Sequence, residues 1–96
     1  SQYPAVEHDL AIVVDNTVTC EDLERRITSA GGKLLEGVRL FDVYRDPVRI
    51  GKGKKSMAFA LTYRSDDHTL TSEEVEKAHQ KIVTKVCKGV NGEVRG

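Results

Sequence analysis

The sequence predicts an α+β sandwich, a four-stranded antiparallel sheet with two helices packed on one face, in the order βαββαβ. Three observations predict it. Two segments repeat apolar residues at helical spacing, residues 55–64 alternate large and small side chains with a period of two, and turn-forming residues separate the segments. The 96 residues amount to one domain, 1–96, with room for one modest core but not for a catalytic cleft between two domains. The chain opens at SQYPAVEHD without a methionine, which points to a piece of a larger chain or to a processed protein.

Each element has a local cause. Residues 8–14, HDLAIVV, have strand composition, with Leu10, Ile12 and Val14 on one face and Asp9, Ala11 and Val13 on the other. Asp15-Asn16 breaks that run. Thr19 then suits a helix N-cap, with Glu21 and Asp22 where acids favour the helix dipole. Leu23, Ile27 and Ala30 repeat at helical spacing until Gly31-Gly32. Lys33 to Arg45 reads as a long strand with a kink at Gly37, and residues 46–54 read as a hairpin loop around Pro47, Gly51 and Gly53.

The strand from Lys55 to Arg64 alternates most cleanly. Met57, Phe59, Leu61 and Tyr63 should face the core, and Ser56, Ala58, Ala60 and Thr62 the other side. Thr71 and Glu74 form a capping box at the start of a second helix, with Val75, Ala78, Ile82, Val83 and Val86 as its apolar stripe and Gly89 as its stop. His79 falls at the boundary of that stripe, and Val90 to Arg95 closes the sheet. Four strands and two helices in this order fit a ferredoxin-like sandwich. One sheet face is then left free of helices. Its small, partly polar residues suit a planar ligand lying close to the backbone; they equally suit plain exposure or cover by another domain.

Composition narrows the function. Charged residues make up 31% and hydrophobic ones 39%, an ordinary globular balance, and no apolar run reaches membrane or signal-peptide length. Cys20 and Cys87 form no CxxC pair and read as reduced thiols of a cytoplasmic protein in preference to a single disulfide of a secreted domain. A formal net charge of zero argues against purely electrostatic nucleic-acid binding. The charge is polarised, however. Residues 45–55 hold Arg45, Arg49, Lys52, Lys54 and Lys55 against Asp46, while residues 66–76 hold five acids and no lysine or arginine. A basic hairpin beside an open sheet face can track phosphates, although solvated lysines are also common in loops.

Several chemistries known on such a fold are absent from the residues. No CxxC follows the first strand for a heavy metal. The central strands lack the paired aromatics of an RRM, and Asp15-Asn16-Thr17 is the wrong charge for an acylphosphatase cradle. GKGKKS (51–56) lacks phosphate-loop spacing and joins two strands. His8, His68 and His79 are scattered, and no serine or cysteine is placed to complete a triad with Asp67-His68.

Four stretches carry a family likeness: YPAVEHDLA, FDVYR, KKSMAFALTYR and TLTSEEV. In this order and spacing, over essentially the whole chain, the sequence resembles the ferredoxin-fold anticodon-binding domain at the C-terminus of the bacterial phenylalanyl-tRNA synthetase beta subunit. His8 stands where an arginine is usual, and Asp46 where a glycine commonly follows FDVYR. The resemblance implies that the open face receives the anticodon loop of tRNA(Phe) and that its first base, a guanine, unstacks onto Ala11, Asp42, Tyr44 and Ser56. A tyrosine can stack on a base, and a carboxylate can accept from guanine N1–H and N2–H₂. This needs Phe41 and Val43 turned toward the core. Charge and position add Lys54, Lys55 and Arg64 as phosphate contacts.

The implied partners are the tRNA, the rest of the beta subunit and the alpha subunit. ATP and Mg²⁺ belong to the parent ligase, and this segment has no catalytic residues or metal of its own. The alternative is a regulatory or protein-interaction domain that pairs through its open sheet face.

Overall fold

The computed structural model describes residues 3–95. The elements follow the expected order: β1 (Val6–Asp15), α1 (Cys20–Gly31), β2 (Leu35–Tyr44), β3 (Lys54–Tyr63), α2 (Ser72–Val90) and β4 (Glu93–Val94). Caps fix both helix starts. The Thr19 hydroxyl accepts from the Asp22 N–H at 3.1 Å. Thr71 accepts from the Glu74 N–H at 3.2 Å, and Glu74 accepts from the Thr71 N–H at 3.0 Å. Each cap satisfies backbone donors that a helix start leaves unpaired.

All strand pairs are antiparallel, in the order β2-β3-β1-β4. The core lies between the sheet and the helices. Leu10, Ile12 and Val14 of β1 and Met57, Phe59, Leu61 and Tyr63 of β3 meet Leu23 and Ile27 of α1 and Val75, Ile82 and Val86 of α2. Period-two alternation therefore sends one half of each central strand into the core and the other half to the helix-free face.

β2 departs from simple alternation. Leu40 pairs with Phe59 but Asp42 pairs with Ala58, so Phe41 is the extra residue of a β-bulge; a second register shift lies between Leu35 and Gly37. Phe41 is consequently 48% exposed instead of facing the core. Val43 does share the face of Met57, but it stands at the hairpin end of the edge strand and is 37% exposed. The bulge has a positional effect. Without it, two-residue alternation from Leu40 would turn Asp42 toward the helices.

Three other expectations are corrected. Gly89 does not stop α2, which continues to Val90 and ends at Asn91 in the left-handed conformation (φ 53°). β4 is then only Glu93–Val94, because the chain first turns through Gly92, where a Cβ would come within 2.9 Å of Ile12. His79 is not a boundary residue but is buried, with Nδ1 2.8 Å from the Tyr63 hydroxyl and its ring 4.1 Å from that of His8. Burial pushes the Tyr63 phenol up to about 12 and lowers His79. The phenol is thus the donor and neutral Nδ1 the acceptor.

Candidate nucleic-acid interface

The bulge and the pairing register together assemble the helix-free face as a lattice of rows. One row runs Asp42, Ala58, Ala11, and the next runs Tyr44, Ser56, Val13. Paired residues in a sheet point to the same side, so all six face away from the helices. Ala11, Asp42, Tyr44 and Ser56 are therefore gathered on one surface by three adjacent strands. A further row, Arg39, Ala60, Asp9, adds a cation beside Asp42. Asp42 is exposed, Tyr44 and Ala11 are half-buried, and Ser56 is buried as floor between its longer neighbours.

Tyr44 is held at both ends. Its hydroxyl donates to Asp46 at 3.0 Å, and the Arg95 guanidinium carbon lies 4.7 Å from the centre of its ring. Asp46 also accepts from the N–H groups of Val48 and Arg49 at 2.9 and 3.0 Å, capping one π-helical turn (Pro47–Gly51) within the hairpin. These backbone donors and the Tyr44 hydroxyl hold the Asp46 carboxyl below its ordinary value. That carboxylate, with desolvation, holds the Tyr44 phenol above its own. The hairpin is thus tied to the aromatic ring instead of hanging free.

The expected phosphate contacts separate. Lys54 pairs with Asp15 on the open face, two residues from Ser56, and is exposed. Lys55 pairs with Val14 on the helix side and is 8% exposed, so it does not line this surface. Arg64 follows the far end of β3, about 26 Å from Ser56 at the usual strand rise. There its Nε faces Glu36 at 3.5 Å, which removes it from the cluster.

Two neighbours of Tyr44 escaped the sequence reading. Asp46 had a usable signal, since an aspartate before proline suits the cap of a helical turn. Arg95 had none, because only the sheet order brings it to Tyr44. Neither thiol suggests chemistry: both are free, and Cys20 is pushed up to about 11 by burial and by Glu24. No helix among the described residues is long and apolar enough to cross a membrane.

Residues 1–95 match the family model of the ferredoxin-fold anticodon binding domain. The chain is 45% identical over 94 residues to the phenylalanine–tRNA ligase beta subunit of Clostridium tetani, covering 98% of this chain and 12% of that protein. It is 47% identical over 94 residues to the beta subunit of Symbiobacterium thermophilum, covering 98% and 10%. For Bacillus subtilis the identity is 51% over 82 residues, covering 85% and 10%. The chain spans about a tenth of the length of these relatives. It belongs to the ferredoxin-fold anticodon-binding domain family.

Proposed function

We propose that this chain is the anticodon-binding segment of a phenylalanine–tRNA ligase beta subunit and that its helix-free sheet face takes the first anticodon base of tRNA(Phe). The observation that carries this reading is the row geometry: a carboxylate and a tyrosine project beside small residues on one face. A guanine stacks on Tyr44, with its N1–H and N2–H₂ donated to Asp42. Adenine and the pyrimidines do not offer that donor pair. Ala11 and Ala58 let the base approach the backbone, and Ser56 becomes reachable when the Tyr44 ring shifts. Lys54 and Arg39 take the flanking phosphates. In the parent ligase, ATP and Mg²⁺ serve phenylalanine activation elsewhere, in the cytoplasm, with the rest of the beta subunit and the alpha subunit. This segment positions the tRNA and raises the effective concentration of its acceptor end.

The test is a titration with anticodon stem-loops carrying guanine or adenine at the first anticodon position. The wild-type chain should prefer guanine, and Asp42→Asn should lose most of that preference, because an amide cannot accept from both donors. Equal affinity of the wild type for the two loops contradicts the reading. Concentration-dependent dimerisation through the same face, with no RNA affinity, would establish the interaction-domain alternative in its place.

A further inference from the structure

We propose that Arg95 is a further specificity-determining residue of this site, reading the O6/N7 edge of the base, which adjoins the edge taken by Asp42; the inference rests on the anticodon reading above. The Arg95 N–H donates to the Ala11 carbonyl at 2.9 Å, which continues the β1–β4 register by one residue. The full row across the sheet is therefore Asp42, Ala58, Ala11, Arg95. Its two ends carry opposite charges and its middle is alanine. Three strand spacings separate the end backbones by about 14 Å, which leaves room between the two side chains for one base.

Guanine is polar in the matching sense. Its N1–H and N2–H₂ donors lie on one edge, and its O6 and N7 acceptors on the adjoining one. A carboxylate only accepts and a guanidinium only donates. A guanine held over the alanines with its donor edge on Asp42 leaves the adjoining acceptor edge open, and the Arg95 fork, which already reaches across the face to Tyr44, can take O6 and N7 together. Adenine presents an N6 donor beside N7 and forfeits one of the two bonds, and pyrimidines have no N7. In the free protein the exposed guanidinium rests over the Tyr44 ring. A cation–π contact at an exposed site is weak enough to be exchanged for the base.

The test uses stem-loops with guanine, 7-deazaguanine or adenine at the first anticodon position, read by fluorescence anisotropy on the wild-type chain, Arg95→Ala and Arg95→Lys. Replacing guanine by 7-deazaguanine, which lacks only the N7 acceptor, should cost the wild type at least about 5-fold in affinity. Arg95→Ala should bind both loops equally and more weakly. Arg95→Lys should retain the salt-dependent part of the affinity but not the sensitivity to N7. If the wild type prefers guanine over adenine yet ignores 7-deazaguanine, or if Arg95→Ala keeps that sensitivity, the role of Arg95 is overturned and the Asp42–Tyr44 reading stands. If the wild type does not distinguish guanine from adenine, both fall.

Discussion

Along β3, neighbouring residues serve opposite surfaces. Met57, Phe59, Leu61 and Tyr63 are almost sealed beneath the helices, whereas Ser56, Ala58, Ala60 and Thr62 lie on the helix-free face, where Tyr44, Asp42 and Arg39 of β2 flank the first three and Ser56 and Ala60 form a buried floor. The first set is large and apolar and supplies the burial that stabilises the chain. The second set is small and contributes little apolar area, because the first set carries the core. The comparison teaches that stability and recognition are separated by parity along one strand. Mutations on the two faces should therefore fail in different assays.

Phe59→Ala should produce the largest effect. It removes a fully buried ring and should cost about 3–5 kcal/mol in chemical denaturation. A small loss would mean that the helix face is not the stabilising one. Tyr44→Ala should weaken stem-loop binding by about 5- to 150-fold, the range of a lost base–aromatic stack, while the unfolding midpoint moves little. A large stability loss with unchanged binding would reverse the assignment of the two faces.

Asp46→Ala sharpens the comparison at the hairpin. It removes one cap and the acceptor of the Tyr44 hydroxyl together. The thermal midpoint should fall by about 4–8 °C, the shift expected for the loss of a single cap in a small domain. The Tyr44 phenol should also titrate at lower pH than in the wild type.

The smallest effect belongs to the helix face. Burial and the neighbouring His8 lower His79 below its ordinary value. The unfolded chain binds a proton there that the folded chain resists. The His79 contribution is thus fully present above the ordinary histidine value and is lost as pH falls toward the folded one. Unfolding free energy should drop more steeply from about pH 7 to about pH 5 in the wild type than in His79→Gln. Parallel slopes would contradict it.

Much of this arrangement was legible in the sequence, because β3 alternates without interruption and Thr71-Glu74 announces its helix locally. The element order was legible from the same local signals. Phe41 was misread because a bulge adds one residue without any turn residue to mark it; Asp42 reaches the open face by that irregularity and not by alternation. Lys55 was counted with the basic hairpin as a phosphate contact, although it begins the predicted strand and takes the parity of Met57, which turns it to the helix side. Arg95 and Tyr44 meet only through folding, 51 residues apart, so no local pattern could link them.

The central claim is that RNA meets the helix-free face. The most direct measurement is backbone-amide NMR during titration with the guanine-containing anticodon stem-loop. The account predicts shifts concentrated at Ala11, Asp42, Tyr44, Ser56 and Ala58. It predicts little change at Arg25, Arg26 and Lys85, which line a groove between the helices and whose two arginines are already paired with Asp22. Shifts confined to that helical groove, with the sheet face silent, would contradict it.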